Sequence, residues 1–246
     1  MNAKPQGWFI TGTDTGVGKT AIAQALLAAL ARRRYRAAGM KPVASGCRRT
    51  ADGLRSEDAE RLRAAASVAT DYTDVNPYAF EPAIAPHVAA ARAGVAMKLA
   101  TVRTHYARLV AQVDWLIVEG AGGWYVPFNS AQSMSDVARM LGLPVILVVG
   151  LRLGCISHGV LTATAIRADG LQLAAWVGNR IDASFDTQPE SIAALQQRLE
   201  APCIGVVPYA SNGATIGQGD DLLARLFETR AGLRDFNRPS TAANSD

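Results

Sequence analysis

The amino-acid sequence predicts an α/β fold with a mostly parallel central sheet and helices on both faces. Strand-length apolar runs alternate with helix-length runs along the 246 residues, which is typical of parallel strands joined by crossover helices. The strand-length runs are continuously apolar, as in PVILVVG at residues 144–150, and such strands are buried on both faces. A glycine-rich loop follows the first strand and opens the first helix, which makes the fold a phosphate-loop NTPase type.

Each predicted strand is a short apolar run that stops at or beside a glycine, a proline or a charged residue. The strands are expected at residues 7–11, 37–43, 115–118, 144–150, 173–177 and 203–207. The carboxyl ends of parallel strands meet at one edge of a sheet, and ligands bind there in folds of this class. We therefore look for functional residues directly after these strands.

The predicted helices carry recognisable end signals. Ser56 precedes Glu57 and Asp58 as an N-cap, the three arginines at 32–34 suit a helix C-terminus, and Gly170 suits a left-handed C-cap. The helices are expected at residues 21–31, 55–66, 99–112, 134–141, 157–169, 189–199 and 220–231. We expect one domain over residues 1–232 and a polar tail over 233–246 that frays.

Composition indicates a cytoplasmic globular protein. The apolar share is 49% and the net charge is +4, with both signs interspersed, so no nucleic-acid partner is expected. Apolar stretches are too short for a membrane span, and residues 1–6 leave no room for a signal peptide before the first strand. The three cysteines, at 47, 155 and 203, are too scattered for a disulfide framework or a zinc site. His105 is expected to face solvent.

The loop at residues 12–20, GTDTGVGKT, predicts a nucleoside triphosphate site. Its glycines allow backbone N–H groups to face an anion, and the helix N-terminus adds partial positive charge. Lys19 can reach the outer phosphates and the Thr20 hydroxyl can ligate magnesium. Five residues, rather than the common four, separate Gly12 from Gly18. A tight turn that binds nothing is the weaker alternative, because Gly-Lys-Thr opens a helix here.

Two further strand ends carry charged residues. Glu119 ends one strand beside the run Gly120-Ala121-Gly122 and could complete a magnesium site opposite Thr20. Lys41 follows another strand and could balance charge in phosphoryl transfer. The alternatives are a solvated glutamate and a surface lysine, and Asp58 alone is an ordinary acidic residue in a first helical turn.

Eight segments of the chain together resemble dethiobiotin synthetase, and the five-residue spacing of the loop is that family's form. The similarity runs in order from about residue 7 to about residue 226. The segments are TGTDTGVGKT at 11–20, KPVASG at 41–46, LRSEDA at 54–59, VNPY at 75–78, VEGAGGW at 118–124, LPVILVVG at 143–150, LGCI at 153–156 and WVGN at 176–179. Gly16 stands where some members carry an acidic residue, so only backbone contacts are expected from it.

The resemblance implies an ATP-dependent cyclo-ligase of biotin biosynthesis. The family converts 7,8-diaminononanoate, carbon dioxide (or bicarbonate) and ATP into dethiobiotin, ADP and phosphate. One amine captures carbon dioxide as a carbamate, ATP converts it into a carbamic-phosphoric anhydride, and the other amine closes the ring. Because the substrate supplies its own nucleophiles, the protein has to position the reactants and neutralise developing charge.

The resemblance also implies site residues, with Lys19, Lys41 and Thr15 as the catalytic group. Magnesium would be held by Thr20, Asp58 and Glu119. Substrate would contact Thr15, Lys41, Ser45, Gly122, Gly154, Cys155 and Ile156. The nucleotide and its metal would contact Gly16, Val17, Gly18, Lys19, Thr20, Asp58, Glu119, Gly120, Ala121, Gly122, Asn179, Arg180, Pro208, Tyr209 and Ala210, where Asn179 reads adenine and the last three line the base pocket.

The family is a homodimer with substrate sites at the subunit interface. The N–H groups of Gly154, Cys155 and Ile156 would hold the substrate carboxylate of the neighbouring subunit, as helix N-termini hold anions.

Two other classes share the loop. A partitioning-type switch ATPase, which binds DNA or membrane, carries a signature lysine where this chain has Asp14, and it needs a basic or amphipathic tail that residues 235–246 lack. A cobyrinate-type amidotransferase needs a further glutaminase domain, for which the chain is too short.

Overall fold

A six-stranded parallel sheet is the centre of the computed structural model, which describes residues 6–209 and 216–236. The strands of the described part are β1 (Gln6–Gly12), β2 (Ala37–Met40), β3 (Val43–Ala44), β4 (Arg48–Thr50), β5 (Gly53–Arg55), β6 (Tyr78–Ala79), β7 (Trp115–Glu119), β8 (Val145–Leu151), β9 (Leu173–Arg180) and β10 (Cys203–Val207). The main sheet has the order β10-β9-β8-β1-β7-β2. The predicted parallel sheet is confirmed.

Helices cover both faces of the sheet, as predicted. They are α1 (Lys19–Arg32), α2 (Glu57–Ala65), α3 (Tyr72–Val75), α4 (Pro86–Arg92), α5 (Leu99–Val110), α6 (Met134–Leu141), α7 (Cys155–Ala168), α8 (Gln188–Arg198) and α9 (Gly219–Phe236), with a short 3-10 helix at Ile216–Gln218. Successive residues of β1 show how the layers form, because Phe9 packs into the core on one face and Ile10 into the core on the other.

One face carries α1 and α9, and the other carries α5, α6, α7 and α8. Every residue of β7 and β8 is buried, which is why these strands read as uninterrupted apolar runs. The C-cap glycine predicted at Gly170 has φ +75, and Ser56 is the N-cap of α2, its hydroxyl accepting from the Ala59 N–H at 3.4 Å.

The segment between β2 and α5 differs from prediction. The strand expected over 37–43 ends at Met40, because Pro42 has no N–H to extend the ladder. Val43–Ala44 instead pairs with Tyr78–Ala79 in a separate two-stranded parallel sheet. The helix expected from residue 55 begins at Glu57, since Arg55 belongs to a small antiparallel hairpin formed by β4 and β5.

The carboxyl ends of the parallel strands lie at one edge of the main sheet. The strand β1 lies between β7 and β8, so the loop after β1 is flanked by the segments that follow Glu119 and Leu151. The last helix, α9, runs past its predicted end at 231 to Phe236. Residues 237–246 of the predicted tail lie outside the described residues.

Candidate active site

The glycine-rich loop at residues 12–20 links β1 to α1 in a conformation that depends on two glycines. Gly16 has φ +74 and Gly18 has φ +94, backbone values that L-residues with side chains rarely adopt. A Cβ at Gly18 would lie 2.1 Å from the Asn179 amide nitrogen, whereas a Cβ at Gly16 would have no neighbour within 4 Å. Gly18 is therefore required by contact and conformation, and Gly16 by conformation alone.

The N-terminus of α1 is available to an anion. Its N-cap is Gly18, no side chain caps it, and its first turn contains no acidic residue. The first N–H groups of a helix have no partner within the helix, so they are free to bind a negatively charged group. Lys19 is the first residue of this helix, and its ammonium donates to the Asp14 carbonyl at 2.9 Å.

Four side chains from four different elements meet beside this loop. The Lys41 ammonium donates to Asp58 Oδ2 at 2.8 Å and to Glu119 Oε1 at 2.6 Å. The Thr20 hydroxyl lies 2.8 Å from Asp58 Oδ1 and 2.9 Å from Glu119 Oε1. Sequence reasoning singled out all four residues, and the structure brings them together. We call Thr20, Lys41, Asp58 and Glu119 the charged cluster.

Burial controls the electrostatics of the charged cluster. Lys19, Lys41 and Glu119 are 6%, 5% and 1% exposed, so water screens their charges little. Burial, together with the neighbouring Lys41 charge, lowers the pKa of Lys19 to about 8. Burial also opposes the charge of Lys41, but the adjacent Glu119 and Asp58 carboxylates outweigh it and raise the pKa of Lys41.

The carboxylate of Asp58 is held in its charged form. Burial alone would raise its pKa, but Lys41, the Thr20 hydroxyl and Lys19 together lower the pKa of Asp58 below its usual value. The Asp58 side chain is 41% exposed, so it faces the open part of the site.

The oxygen atoms of the charged cluster fit a magnesium ion. The Thr20 hydroxyl has one proton but lies within 2.9 Å of two carboxylate oxygens, so one of these contacts joins two oxygens without a hydrogen between them. Glu119 Oε2 is buried and has no hydrogen-bond partner among the described residues. One or two carboxylates plus hydroxyl and phosphate oxygens are a common magnesium environment, although no group of three or more His, Cys, Asp or Glu able to hold a metal occurs in the described part of the chain.

A cavity of about 710 Å³ opens onto the charged cluster. Besides the cluster, it is lined by several residues singled out from the sequence: Thr15, Gly16, Gly18, Lys19, Ser45, Ala121 and Gly122. Val17 and Gly120 lie beneath this surface, since Val17 is 1% exposed and a Cβ at Gly120 would lie 3.1 Å from the Phe9 ring. The structure thus gathers most of the expected residues around one cavity.

The other wall of the cavity is apolar and was missed by sequence reasoning. It includes Val43, Ala44, Val126 and the irregular segment 83–86 (AIAP). The segment is held beside Gly46 by a hydrogen bond from the Gly46 N–H to the Pro82 carbonyl at 3.1 Å. Only the prolines at 82 and 86 mark it in the sequence, and they indicate a loop without indicating what the loop covers.

The residues expected to bind the nucleotide base lie at the end of β9 and after β10. The Asn179 amide donates to the Val17 carbonyl at 2.9 Å, which places Asn179 directly against the glycine-rich loop. The next residue, Arg180, has a buried Nε without a partner among the described residues. Pro208 and Tyr209 follow β10 and are exposed, Tyr209 by 49%. Ala210 lies outside the described residues.

The residues expected to hold a substrate carboxylate do not line this cavity. Gly154, Cys155 and Ile156 line a second cavity of about 590 Å³ at the start of α7. Cys155 is buried, whereas the neighbouring Leu153 is 89% exposed. An ion pair of 2.6 Å between Arg152 and Asp14 links this region to the glycine-rich loop. The separation agrees with a role toward a neighbouring subunit, which stays a prediction.

Comparison with known proteins gives the family. The family model described as an AAA domain matches residues 6–213. The ATP-dependent dethiobiotin synthetase BioD of Xanthomonas oryzae pv. oryzae is 46% identical over 219 residues, which are 89% of this chain and 98% of that protein. The enzyme of the same name from Pseudomonas aeruginosa is 53% identical over 204 residues, 82% of this chain and 89% of that protein. The chain belongs to the dethiobiotin synthetase family.

Solved structures add a likeness of fold to this family assignment. The MinC:MinD cell division protein complex of Aquifex aeolicus contains a chain with a TM-score of 0.54 and 13% identity, covering 97% of this chain and all of that chain. MinD of the same organism gives a TM-score of 0.54 and 14% identity, covering 95% and 98%. At this identity the likeness extends to the fold alone, so it does not favour a switch ATPase over a dethiobiotin synthetase.

Proposed function

We propose that this protein catalyses the ATP-dependent closure of 7,8-diaminononanoate and carbon dioxide to dethiobiotin, with release of ADP and phosphate. The observation that carries the proposal is a single cavity lined by two buried lysines, Lys19 and Lys41, together with Thr20 and two carboxylates. No cysteine or histidine is among the described residues that line this cavity. Such a site stabilises phosphoryl transfer between bound molecules.

ATP binds with its phosphates on the glycine-rich loop and the N-terminus of α1. The loop N–H groups and the Lys19 ammonium bind the phosphate oxygens, and Asn179 and Arg180, with Pro208, Tyr209 and Ala210, surround the base. Thr20, Asp58 and Glu119 hold the magnesium ion, which neutralises phosphate charge when bound. The buried Glu119 Oε2, which has no hydrogen-bond partner in the described part of the chain, supports this assignment.

Lys41 acts on the acceptor side of the transferred phosphoryl group. Its ammonium comes from the end of β2, whereas Lys19 comes from the start of α1, and its raised pKa keeps it charged at neutral pH. A fixed positive charge in a buried site stabilises the negative charge that the carbamate brings and that the transition state spreads over the phosphoryl oxygens. The second amine then attacks the mixed anhydride and displaces phosphate.

The two walls of the cavity suit the two parts of the diamine substrate. Thr15, Ser45 and the Gly122 backbone provide polar groups for the amines and the carbamate. The apolar wall formed by Val43, Ala44, segment 83–86 and Val126 suits the hydrocarbon chain. The substrate carboxylate binds Gly154, Cys155 and Ile156 of a second subunit, so the working enzyme is a homodimer.

The protein is assigned to the cytoplasm, with residues 1–232 as one catalytic domain. In the described residues, no helix is long and apolar enough to cross a membrane. Charges of both signs are interspersed along the chain, which supports an enzyme of small molecules over a partner of nucleic acid.

The proposal is tested by coupled measurement of ADP release. With ATP and magnesium alone, release is expected to be slow, and it should rise strongly only when 7,8-diaminononanoate and bicarbonate are both present. Mass spectrometry should then find dethiobiotin in the same mixture, one mole for each mole of ADP. Rapid ADP release without the diamine, or release without dethiobiotin, would contradict the proposal.

A further inference from the structure

The main-chain position of Lys41 is determined from outside the main sheet. The strand β2 ends at Met40, so Lys41 lies just beyond the last ladder residue, and Pro42 has no N–H to donate. The Lys41 N–H donates to the Val75 carbonyl at 2.7 Å. The Lys41 carbonyl accepts from the Asn76 side-chain amide at 2.7 Å. Both polar groups of this residue are therefore held by residues 75–76.

The same segment is hydrogen-bonded to the helix that carries Asp58. The Tyr72 hydroxyl donates to Asn76 Oδ1 at 3.0 Å and accepts from the Ser56 N–H at 2.6 Å. Ser56 is the N-cap of α2, and Asp58 is the second residue of that helix. A chain of three hydrogen bonds thus runs from the start of α2 through Tyr72 and Asn76 to the main chain of Lys41.

This chain is buried and fully paired, so water cannot replace its members. Ser56, Tyr72 and Asn76 are 4%, 9% and 3% exposed. The second proton of the Asn76 amide donates to the Tyr78 carbonyl at 3.1 Å. Removing one partner would leave buried polar groups unpaired, which costs more free energy than one hydrogen bond contributes.

The short helix that supplies Tyr72 is itself anchored. Asp74 of α3 is buried and pairs with His105 of α5 at 2.7 Å and with Arg108 at 3.3 Å. The Arg55 guanidinium lies over the Tyr72 ring, 4.2 Å from its centroid. The expectation that His105 faces solvent is wrong, because its side chain is 19% exposed and bonded to this carboxylate. The segment can therefore serve as a rigid support.

We propose that Tyr72 and Asn76 are positioning residues, which hold the main chain of Lys41 and the N-terminus of α2 at the distance that lets Lys41 and Asp58 meet. The inference rests on the proposed function, because it gives Lys41 and Asp58 their roles. It also assigns a role to Val75 and Asn76, the first two residues of the segment VNPY at 75–78, to which the resemblance alone attached none.

Comparison of Tyr72→Phe with Tyr78→Phe tests the proposal. Tyr78 is also 9% exposed, and its hydroxyl accepts from the Lys98 N–H at 2.9 Å, away from Ser56 and Lys41. Each variant loses one buried hydroxyl from the same stretch of chain. Thermal unfolding of both variants measures the general cost of that loss.

The two variants are expected to separate in kinetics. Tyr72→Phe should lower kcat at least about tenfold and leave KM for ATP within about twofold, as loss of an outer partner of a site does. Tyr78→Phe should change neither by more than about twofold. Asn76→Ala breaks the chain at its other end and should reproduce the kcat loss. Equal kcat for Tyr72→Phe and Tyr78→Phe at equal stability would overturn the proposal.

A double-variant cycle tests whether Tyr72 acts through Lys41. If it does, Tyr72→Phe added to Lys41→Gln should lower kcat by less than about twofold, because coupled residues are not additive. A full further loss of about tenfold would mean that Tyr72 acts by another route.

Manganese binding gives a readout that does not need turnover. Titration of Mn²⁺ in the presence of ADP should show at least about tenfold weaker binding in Tyr72→Phe, through the displaced Asp58, and unchanged binding in Tyr78→Phe. If the unmutated protein made no dethiobiotin, the proposed function would be wrong, and this titration would still decide the positioning role. Equal Mn²⁺ affinity in the two variants would refute it.

Discussion

Replacing Lys41 by glutamine tests the chemistry of the site most directly. The change removes the positive charge and keeps a polar side chain of similar length. Lys41 is 5% exposed and its ammonium lies 2.6 Å from Glu119 Oε1, so neither water nor another side chain can restore the charge. Loss of one such group in a buried site raises the barrier by roughly 3–4 kcal/mol, which lowers kcat about a hundredfold to a thousandfold.

The same substitution should separate catalysis from nucleotide binding. In the proposed function, phosphate binding depends on the loop backbone and on Lys19. The Lys41→Gln change leaves both in place, so equilibrium affinity for ATP should stay near that of the unmutated protein. The ligand-free variant should unfold more easily by about 3 kcal/mol, since Glu119 loses the partner of a buried ion pair. Magnesium and ADP together should restore part of this stability.

The assays are single-turnover phosphate release, calorimetric titration with ATP and thermal unfolding. Lys98→Gln is the matched control, because Lys98 is exposed and does not line the cavity. It should behave as the unmutated protein in all three measurements. If Lys41→Gln released phosphate at the unmutated rate, the acceptor-side role of Lys41 would be refuted.

Three further predictions concern the loop, the metal and pH. Gly18→Ala should weaken ADP binding at least about tenfold, because the new Cβ would lie 2.1 Å from the Asn179 amide. Gly16→Ala should lower the free energy of unfolding by only the roughly 1–2 kcal/mol that its backbone conformation costs a residue with a Cβ. Equal calorimetric affinities of the two variants for ADP would contradict this. Glu119→Gln should raise the magnesium concentration for half-maximal ADP release at least about tenfold, and Glu81→Gln, at an exposed surface pair with Arg49, should not. The pKa of Lys19 is about 8 in the free protein, and bound phosphates raise it, so nucleotide binding takes up a proton above pH 8. The affinity for the nucleotide should therefore fall up to about tenfold per pH unit above pH 8. A constant Kd between pH 7 and 9.5 would refute the contact between Lys19 and the phosphates.

The main sheet could be predicted because its strands are buried on both faces. The run expected at 144–150 is Val145–Leu151 in the structure, and the run at 203–207 has the predicted bounds. A strand buried on both faces has no alternation of polar and apolar residues. The length of the apolar run and the glycines, prolines or charges at its ends are therefore enough to predict the strand. The order of strands around β1 then brings the predicted loop and the two charged strand ends to one edge.

The elements between β2 and α5 could not be predicted in the same way. The strand β3 has two residues and pairs with β6 across a long stretch of chain, so neither has a local pattern. The helix α3 has four residues, and its stability comes from the buried Asp74 pair with α5. The hairpin of β4 and β5 turns through Ala51-Asp52, and Gly53 begins β5. The Asp-Gly pair is a turn signal that was present in the sequence but not used.

The residues of the candidate site also fall into a group that could be predicted from the sequence and a group that could not. The loop, Lys41 and Glu119 could be predicted because each lies at a strand end, and strand topology alone brings strand ends together. The apolar wall at 83–86 and the support at Tyr72 and Asn76 depend on individual hydrogen bonds outside the pairing of the main sheet. A buried lysine between two carboxylates needs its main chain fixed as firmly as its side chain, because a shift of the backbone would separate the charges. Since β2 ends one residue before Lys41, the sheet leaves the peptide bonds around Lys41 without ladder partners, and Val75 and Asn76 supply them.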